Sequence, residues 1–401
     1  MSYKRTAIFG AGAMGTGIAQ VLAVASMDVV LLDIKTEFVE KGLKKIASKL
    51  ESDVKKGKLA PDEKDRVLGR IKGSIDRRDV KDVDLVIEAV IEDRKIKGDL
   101  FQGLNGICKP ETAFATNTST LSVTDLATLS GRPDKFLGLH FFNPVPAMKL
   151  VEVIPGLDTA QEVTNEASAA MKSIKKVPIV VQDCPGFLVN RILLSYMNEV
   201  LLATEEGISP ELIDNEVKKA GFPMGPLELS DMVGWDVSLH TFPILHDAYG
   251  ERFPSLRLVQ KLNDAGRLGL KTGKGVYVNG QIDDEFRGMV ASLSPSGSRS
   301  PFSVNRLILK QVNEAVYCLQ EGVAIAEDID RAMVLGTGFP SKDGVGGPLR
   351  WADEKGLDRV LARLEDLAAT EGPRFWPHHL LKTYVAAGRL GKKTGKGFFE
   401  Y

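Results

Sequence analysis

The chain has 401 residues, enough for two or three domains. Lys and Arg total 52 against 53 Asp and Glu, so no charge excess favours a nucleic-acid partner or a membrane surface. The 3 cysteines, Cys108, Cys184 and Cys318, are far apart and odd in number, which argues against a disulfide framework or a zinc knuckle and suits a reducing cytoplasm.

Residues 4–9 (KRTAIF) predict a short buried strand, GAGAMG at 10–15 a tight turn, and the small residues through Gln20 and Leu22 a helix. Lys4 and Arg5 ahead of an apolar run imitate a secretory leader, but Gly10, Gly12, Gly15 and Gly17 interrupt that run, as a strand–turn–helix requires. Residues 28–33 (DVVLLD) predict a second strand. The charged stretch 36–70 has helical apolar spacing at Leu43, Ile46, Leu50 and Val54 and predicts a helical hairpin standing off the sheet. Its Lys55, Lys56 and Lys58 read as a solvated face, with a phosphate-bearing substrate as the alternative. DVDLVIEAV (82–90), AFATNT (113–118) and KFLGLHFF (135–142) are further strands, with KLVEVI (149–154) and VPIVV (177–181) extending the sheet. Their alternation with helical stretches predicts an α/β fold with a doubly wound parallel sheet. No run is long and apolar enough to span a bilayer, and the final Gly-Phe-Phe-Glu-Tyr is not a peroxisomal address.

After Gln182 the pattern turns helical and repeats itself. PGFLVNRILLSYMNEV (185–200) matches SPFSVNRLILKQVNEA (300–315), and AGRLGLKTGKGVY (265–277) matches AGRLGKKTGKGFF (387–399). Asn190 and Asn305 are 115 positions apart and Lys271 and Lys393 are 122 apart, so the second copy has gained a few loop residues. The expected layout is a sheet domain over 1–182, a first helical domain over 183–285, a linker over 286–300 and a second, repeated helical domain over 301–401.

GAGAMG between a strand and a helix is a dinucleotide-binding pattern. Gly10 permits the tight turn, Gly12 lets backbone approach a pyrophosphate, and Gly15 allows close helix–strand packing, with Met14 inside the same loop. Asp33 ends the second strand, where a carboxylate binds both ribose hydroxyls, which favours NAD over NADP. His140 ends one apolar strand and Glu152 lies inside the next, so adjacent strands can join an imidazole to a carboxylate as a proton-transfer unit. Asn117-Thr118-Ser119 ends an earlier strand on the same edge.

The chain resembles the 3-hydroxyacyl-CoA dehydrogenases through NTSTLSVTDLA (117–127), GLHFFNPVPAMKLVEVI (138–154), DCPGFLVNR (183–191) and GFPMGPLEL (221–229), and the second copy carries the likeness to 401. The resemblance implies a Rossmann-type domain followed by two tandem all-α domains. It implies His140 as the catalytic histidine, Glu152 as the acid that holds it, Ser119 as a substrate contact and Asn190 at the substrate carbonyl. On the NAD side it implies Glu92, Lys97 and Asn143, with Lys271 close by. An acyl-CoA thioester is then the substrate, oxidised at its 3-hydroxyl, and with no hydratase segment ahead of the glycine loop the chain is expected to perform that step alone. Single-copy members of the family dimerise through the helical domain, so the second copy is expected to form a pseudo-dimer within the chain, leaving a monomer or dimer overall. Copy two has no His–Glu pair near Asn305 and is expected to be structural.

Two rival readings stay open: a related NAD-dependent dehydrogenase of a free hydroxy or sugar acid, and a non-catalytic NADH-binding protein. The basic hairpin leans towards CoA, and the presence of both His140 and Glu152 leans towards catalysis. Cys184 reads as a small buried filler and Cys108 and Cys318 as core. His240 and His246 read as structural, His378-His379 lack metal-like partners, and Trp235, Trp351 and Trp376 read as packing residues.

Overall fold

A computed structural model describes residues 3–294 and 302–401 and divides the chain into two compact units, Met1–Phe187 and Leu188–Tyr401. In the first unit the order is β1 (Arg5–Phe9), α1 (Ala13–Val24), β2 (Asp28–Leu32), α2 (Thr36–Lys55), α3 (Pro61–Gly69), β3 (Ile71–Ser74), β4 (Leu85–Glu88), α4 (Arg94–Asn105), β5 (Ala113–Thr116), α5 (Val123–Ser130), β6 (Phe136–Phe141), β7 (Leu150–Pro155), α6 (Gln161–Ser173) and β8 (Val177–Val180). The eight strands form one sheet in the order β3-β2-β1-β4-β5-β6-β7-β8. The first six follow the doubly wound dinucleotide-binding order. Strands β1, β4, β5 and β6 are almost wholly buried, which is why they read as continuous apolar runs.

Three expectations need correction. The sheet is not parallel throughout, because β7 runs antiparallel to β6 and β8 runs parallel to β7. The β6–β7 connection, residues 142–149, is too short for the crossover a parallel neighbour needs. Strand β3 was not foreseen: IKGS has one buried apolar residue and takes its extended form from pairing along β2. The hairpin α2–α3 does not stand off the sheet, since Val39, Ile46 and Leu50 are buried. At Gly42 even a Cβ would come within 3.1 Å of Ala11 and Thr16, so the missing side chain lets α2 close on the glycine loop and α1.

The second unit contains α7 (Val189–Glu205), α8 (Pro210–Lys219), α9 (Pro226–Val233), α10 (Trp235–Tyr249), α11 (Arg257–Asp264), α12 (Asp284–Leu293), α13 (Val304–Gln320), α14 (Ala326–Thr337), a two-residue ladder β9 (Ser341–Lys342) with β10 (Val345–Gly346), α15 (Pro348–Lys355), α16 (Leu357–Glu371) and α17 (His379–Ala386). Both sequence copies lie in this single unit, with α7 packed along α13. Part of the expected linker is helical: Asp283 caps α12 by accepting from the Phe286 N–H, and Phe286 is buried. Residues 295–301 of that linker lie outside the described residues. No helix among the described residues is long and apolar enough to cross a membrane.

Charges are exchanged between α7 and α13 in matched pairs. Arg191 donates to Glu314 at 2.7 Å and to Glu321 at 2.6 Å, while Arg306 donates to Glu199 at 2.6 Å and to Glu206 at 3.0 Å. Arg191 and Arg306, Glu199 and Glu314, and Glu206 and Glu321 are each 115 positions apart. A second pair repeats the exchange: Arg252 donates to Glu314 at 3.1 Å and Arg374 to Glu199 at 2.7 Å. Such mutual contacts, i with j and j with i, define an isologous interface.

Candidate active site

Strands β1, β4, β5 and β6 run in one direction, so the residues after them share the carboxyl edge of the sheet, where open α/β sheets bind ligands. The antiparallel register sets His140 of β6 directly opposite Glu152 of β7. The imidazole Nδ1 lies 2.6 Å from Glu152 Oε2, and Nε2 lies 3.1 Å from Ser119 Oγ. Both His140 and Glu152 are buried, and the histidine ring packs against Phe142 and Phe187 with centroids at 4.7 and 5.7 Å. The result is one hydrogen-bonded line, Glu152–His140–Ser119, whose hydroxyl end is half-buried at the edge.

Ser119 is held by a turn that organises around Glu92. This carboxylate accepts from the Thr118 hydroxyl, the Ser119 N–H at 3.0 Å, and the Thr120 N–H at 3.2 Å. Lys97, 1% exposed, joins Glu92 at 2.9 Å and Glu88 at 2.8 Å. Glu88 ends β4 and also accepts from the Thr116 hydroxyl at 2.6 Å and the Val90 N–H at 2.7 Å. Burial drives the Glu88 carboxyl above the usual carboxylate range, against the Lys97 charge. Burial pushes Glu92 the same way, but the Lys97 charge, the Thr118 hydroxyl and the Ser119 N–H outweigh it and hold Glu92 below that range. Glu88 escaped sequence reading, although a lone acid closing an apolar strand run at the carboxyl edge was a usable signal. Asn117 Oδ1 accepts from the Phe141 N–H at 2.8 Å and ties the ends of β5 and β6 together.

The glycine loop fits a dinucleotide. Gly10 has φ +102° and a Cβ there would strike the Ala89 carbonyl; a Cβ on Gly15 would strike the Gly10 carbonyl. A Cβ on Gly12 would meet nothing within 4 Å, and α1 begins there without a side-chain cap, which suits the approach of a pyrophosphate to its first N–H groups. Met14 is half-buried beside them. Asp33 accepts from the Ala11 N–H at 2.7 Å and the Ile34 N–H at 2.7 Å, which fixes its carboxylate beside the loop at the end of β2. Asn143 is exposed and lines, with Gly17, Gln20, Lys45 and Lys49, a cavity of about 170 Å³.

The remaining candidates lie on other elements. Asn190 is half-buried in the first turn of α7, in the second unit. Lys271, expected near the cofactor, pairs with Asp236 at 2.8 Å, as Lys393 pairs with Asp358 at 2.6 Å in the other copy, so the contact is a property of the repeat. Lys55, Lys56 and Lys58 are exposed. Cys184 is half-buried rather than buried, its thiol 3.3 Å from the Phe187 carbonyl, whereas Cys108 and Cys318 are core. His246 bonds the Phe253 carbonyl at 2.8 Å and His378 caps α17. Trp235 is buried, but Trp376 is 61% exposed beneath the Lys382 ammonium and is not a packing residue.

The chain is similar to known proteins over most of its length. Residues 5–184 match the 3-hydroxyacyl-CoA dehydrogenase NAD binding domain, and residues 186–279 and 302–401 match the C-terminal domain of the same family. A fatty acid oxidation complex subunit alpha from Shewanella amazonensis is 36% identical over 96% of this chain, which spans 56% of that relative's length. The structure of a 3-hydroxybutyryl-CoA dehydrogenase from Escherichia coli K12 superposes with a TM-score of 0.87 at 32% identity, covering 96% of this chain and 99% of that one. A (S)-3-hydroxybutyryl-CoA dehydrogenase structure from Ralstonia eutropha is 42% identical with a TM-score of 0.67, covering 69% of this chain and 99% of that one. With both family domains matched in order, and the C-terminal one matched over both copies, the chain belongs to the 3-hydroxyacyl-CoA dehydrogenase family.

Proposed function

We propose that the chain oxidises the 3-hydroxyl of an (S)-3-hydroxyacyl-CoA thioester to a ketone, reversibly and with NAD, in fatty acid or short-chain acyl-CoA metabolism. The observation that carries the reading is the line Glu152–His140–Ser119 at the carboxyl edge of the sheet. His140 Nε2 takes the C3 hydroxyl proton as the C3 hydrogen leaves with its electron pair, and returns that proton in the reverse direction. Bound NAD supplies the two-electron acceptor. Glu152 accepts from Nδ1–H, which leaves Nε2 as the basic nitrogen and stabilises the imidazolium once formed. Ser119 holds the substrate hydroxyl beside Nε2, and Asn190 bonds the thioester carbonyl, so that C3 is presented in one orientation. Gly10, Gly12, Met14, Gly15 and Asp33 hold the pyrophosphate and adenine ribose, and Glu92, Lys97 and Asn143 border the nicotinamide side. A cytoplasmic setting goes with the reading, since three widely spaced cysteines suit a reducing compartment.

The test is NADH oxidation with acetoacetyl-CoA beside longer 3-ketoacyl-CoAs and the corresponding free acids. Turnover of the thioesters is expected. Equal or faster turnover of the free acids would move the protein to a hydroxy-acid dehydrogenase, and NADH binding without turnover would make it a non-catalytic binder.

We also propose that copy two replaces a partner subunit, so that the chain is a monomer with an internal pseudo-dimer. The matched exchange of charges between α7 and α13 supports this. Light scattering should give the mass of one chain. An assembly that dissolves into a stable, active monomer when residues 286–401 are deleted would sink the idea.

A further inference from the structure

The matched exchange between α7 and α13 has one departure at its centre. Where α7 carries Ser195, α13 carries Lys310. Lys310 is buried, and its Nζ donates to the Arg252 carbonyl at 2.7 Å and to the Arg374 carbonyl at 2.8 Å. The same ammonium lies 5.9 Å from the Phe253 ring centroid and 5.9 Å from that of Phe375. Arg252-Phe253 and Arg374-Phe375 are corresponding residues of the two copies, in GERFP and GPRFW, separated by the 122 positions that separate the KTGKG lysines. A group equally far from two pairs of corresponding atoms lies on the axis that relates them. Lys310 Nζ therefore stands on the pseudo-two-fold axis of the helical unit. Ser195 instead reaches helix carbonyls, that of Ile192 at 2.8 Å and that of Lys310 at 3.4 Å.

An axis has room for one such group. Two copies of the first type would bring two serines and leave the paired carbonyls without a donor, each a buried polar group whose desolvation is uncompensated. Two copies of the second type would drive two ammoniums to one buried point, where like charges repel strongly. Burial already draws the single Lys310 amine down to about 8. We propose that Lys310 is a pairing-specificity residue: it fits the interface to one first copy against one second copy and rejects the union of the second copies of two chains. This rests on the proposed replacement of a partner subunit by copy two. Specificity of this kind comes from a repulsive element set against the wrong partner as much as from contacts to the right one.

Symmetry supplies the test. A lysine on an axis can be contributed from either side, so moving it should restore what removing it costs. The full chain would be prepared as parent, Lys310→Ser, Ser195→Lys, and the double variant carrying both changes. Thermal midpoints would be followed by far-ultraviolet circular dichroism, with mass by light scattering. Lys310→Ser should lower the midpoint by about 5 °C, since two carbonyls lose their donor. Ser195→Lys should lower it further, and the double variant should return to within about 2 °C of the parent. A double variant no more stable than Lys310→Ser, or one that does not fold, overturns the proposal, as does a Ser195→Lys chain as stable as the parent. Should both single variants fail to fold, a folded double variant still supports it. A dimeric parent would defeat the partner-replacement reading separately, by mass alone.

Discussion

Both units bury glutamates against cations, and they do so to opposite ends. In the sheet unit the chain of contacts is open: Glu88 and Lys97 hold Glu92, Glu92 holds the turn of Ser119, and Ser119 meets a histidine whose far side is held by Glu152. The last hydroxyl is left at an edge where a ligand can reach it. In the helical unit the contacts close on themselves, with Arg191 and Arg252 answered by Glu314 of the other copy and Arg306 and Arg374 by Glu199. Buried charge that ends on an accessible atom is arranged for chemistry, whereas buried charge that returns to its own pseudo-symmetric mate is arranged for assembly.

The sharpest way to break this contrast is to remove the two kinds of group in turn. His140→Ala should reduce kcat at least about 100-fold, the low end of general acid–base assistance, while NADH titration by fluorescence shows unchanged affinity. Survival of turnover would end the role given to His140. Glu199→Ala should do the reverse. It takes from Arg306 and Arg374 the fully buried carboxylate to which both donate, and denaturant unfolding should show a loss of about 3–5 kcal/mol while NADH affinity is retained. Equal damage to both properties from either change would mean that the two units are not separable in this way.

Two smaller effects sharpen the comparison within the repeat. Asp214 and Asp330 each accept two backbone N–H groups, but Tyr277 also donates to Asp214 at 2.7 Å where the second copy has Phe399. Burial raises Asp330 to about 7 and Asp214 to about 6. Between about pH 4, where an unfolded aspartate ionises, and pH 7 the native Asp330 keeps a proton that the unfolded chain has lost, so stability falls as pH rises through that window. Asp330→Asn should flatten this slope in unfolding curves taken from pH 4 to 7, and an unchanged slope would remove Asp330 as its source. The smallest effect is expected at the half-exposed Lys271–Asp236 pair: Lys271→Ala should change stability by less than about 1 kcal/mol and leave the KM for NADH unaltered. A raised KM would return Lys271 to the cofactor.

Legibility in the sequence followed the strength of the local signal. Strands β1, β4, β5 and β6 are buried on both faces and were plain as apolar runs. Strand β3 was invisible because an edge strand of IKGS owes its shape to a neighbour. The antiparallel turn of β7 was legible only through the shortness of the connection before it. Of the candidate site, the glycine loop with Asp33 and the apposition of His140 and Glu152 were readable from spacing. Glu88 was not, since its meaning depends on Lys97, nine positions on in the next helix, and on Thr116 one strand away. The register of α7 on α13 likewise came only from the structure, although the repeat announced that two such helices exist.

The His140–Glu152 couple is fixed by a ladder rung rather than by a loop, and this has an evolutionary consequence. A one-residue slip of β7 would turn Glu152 to the other face, so the rung tolerates no drift. The segment 142–149 that joins the two strands lies outside that ladder, although Phe142 packs on the imidazole and Val145 is buried. Residues 146–149 can change composition while the imidazole and carboxylate stay opposed. A lineage can thus remodel this connection and keep the imidazole–carboxylate couple intact.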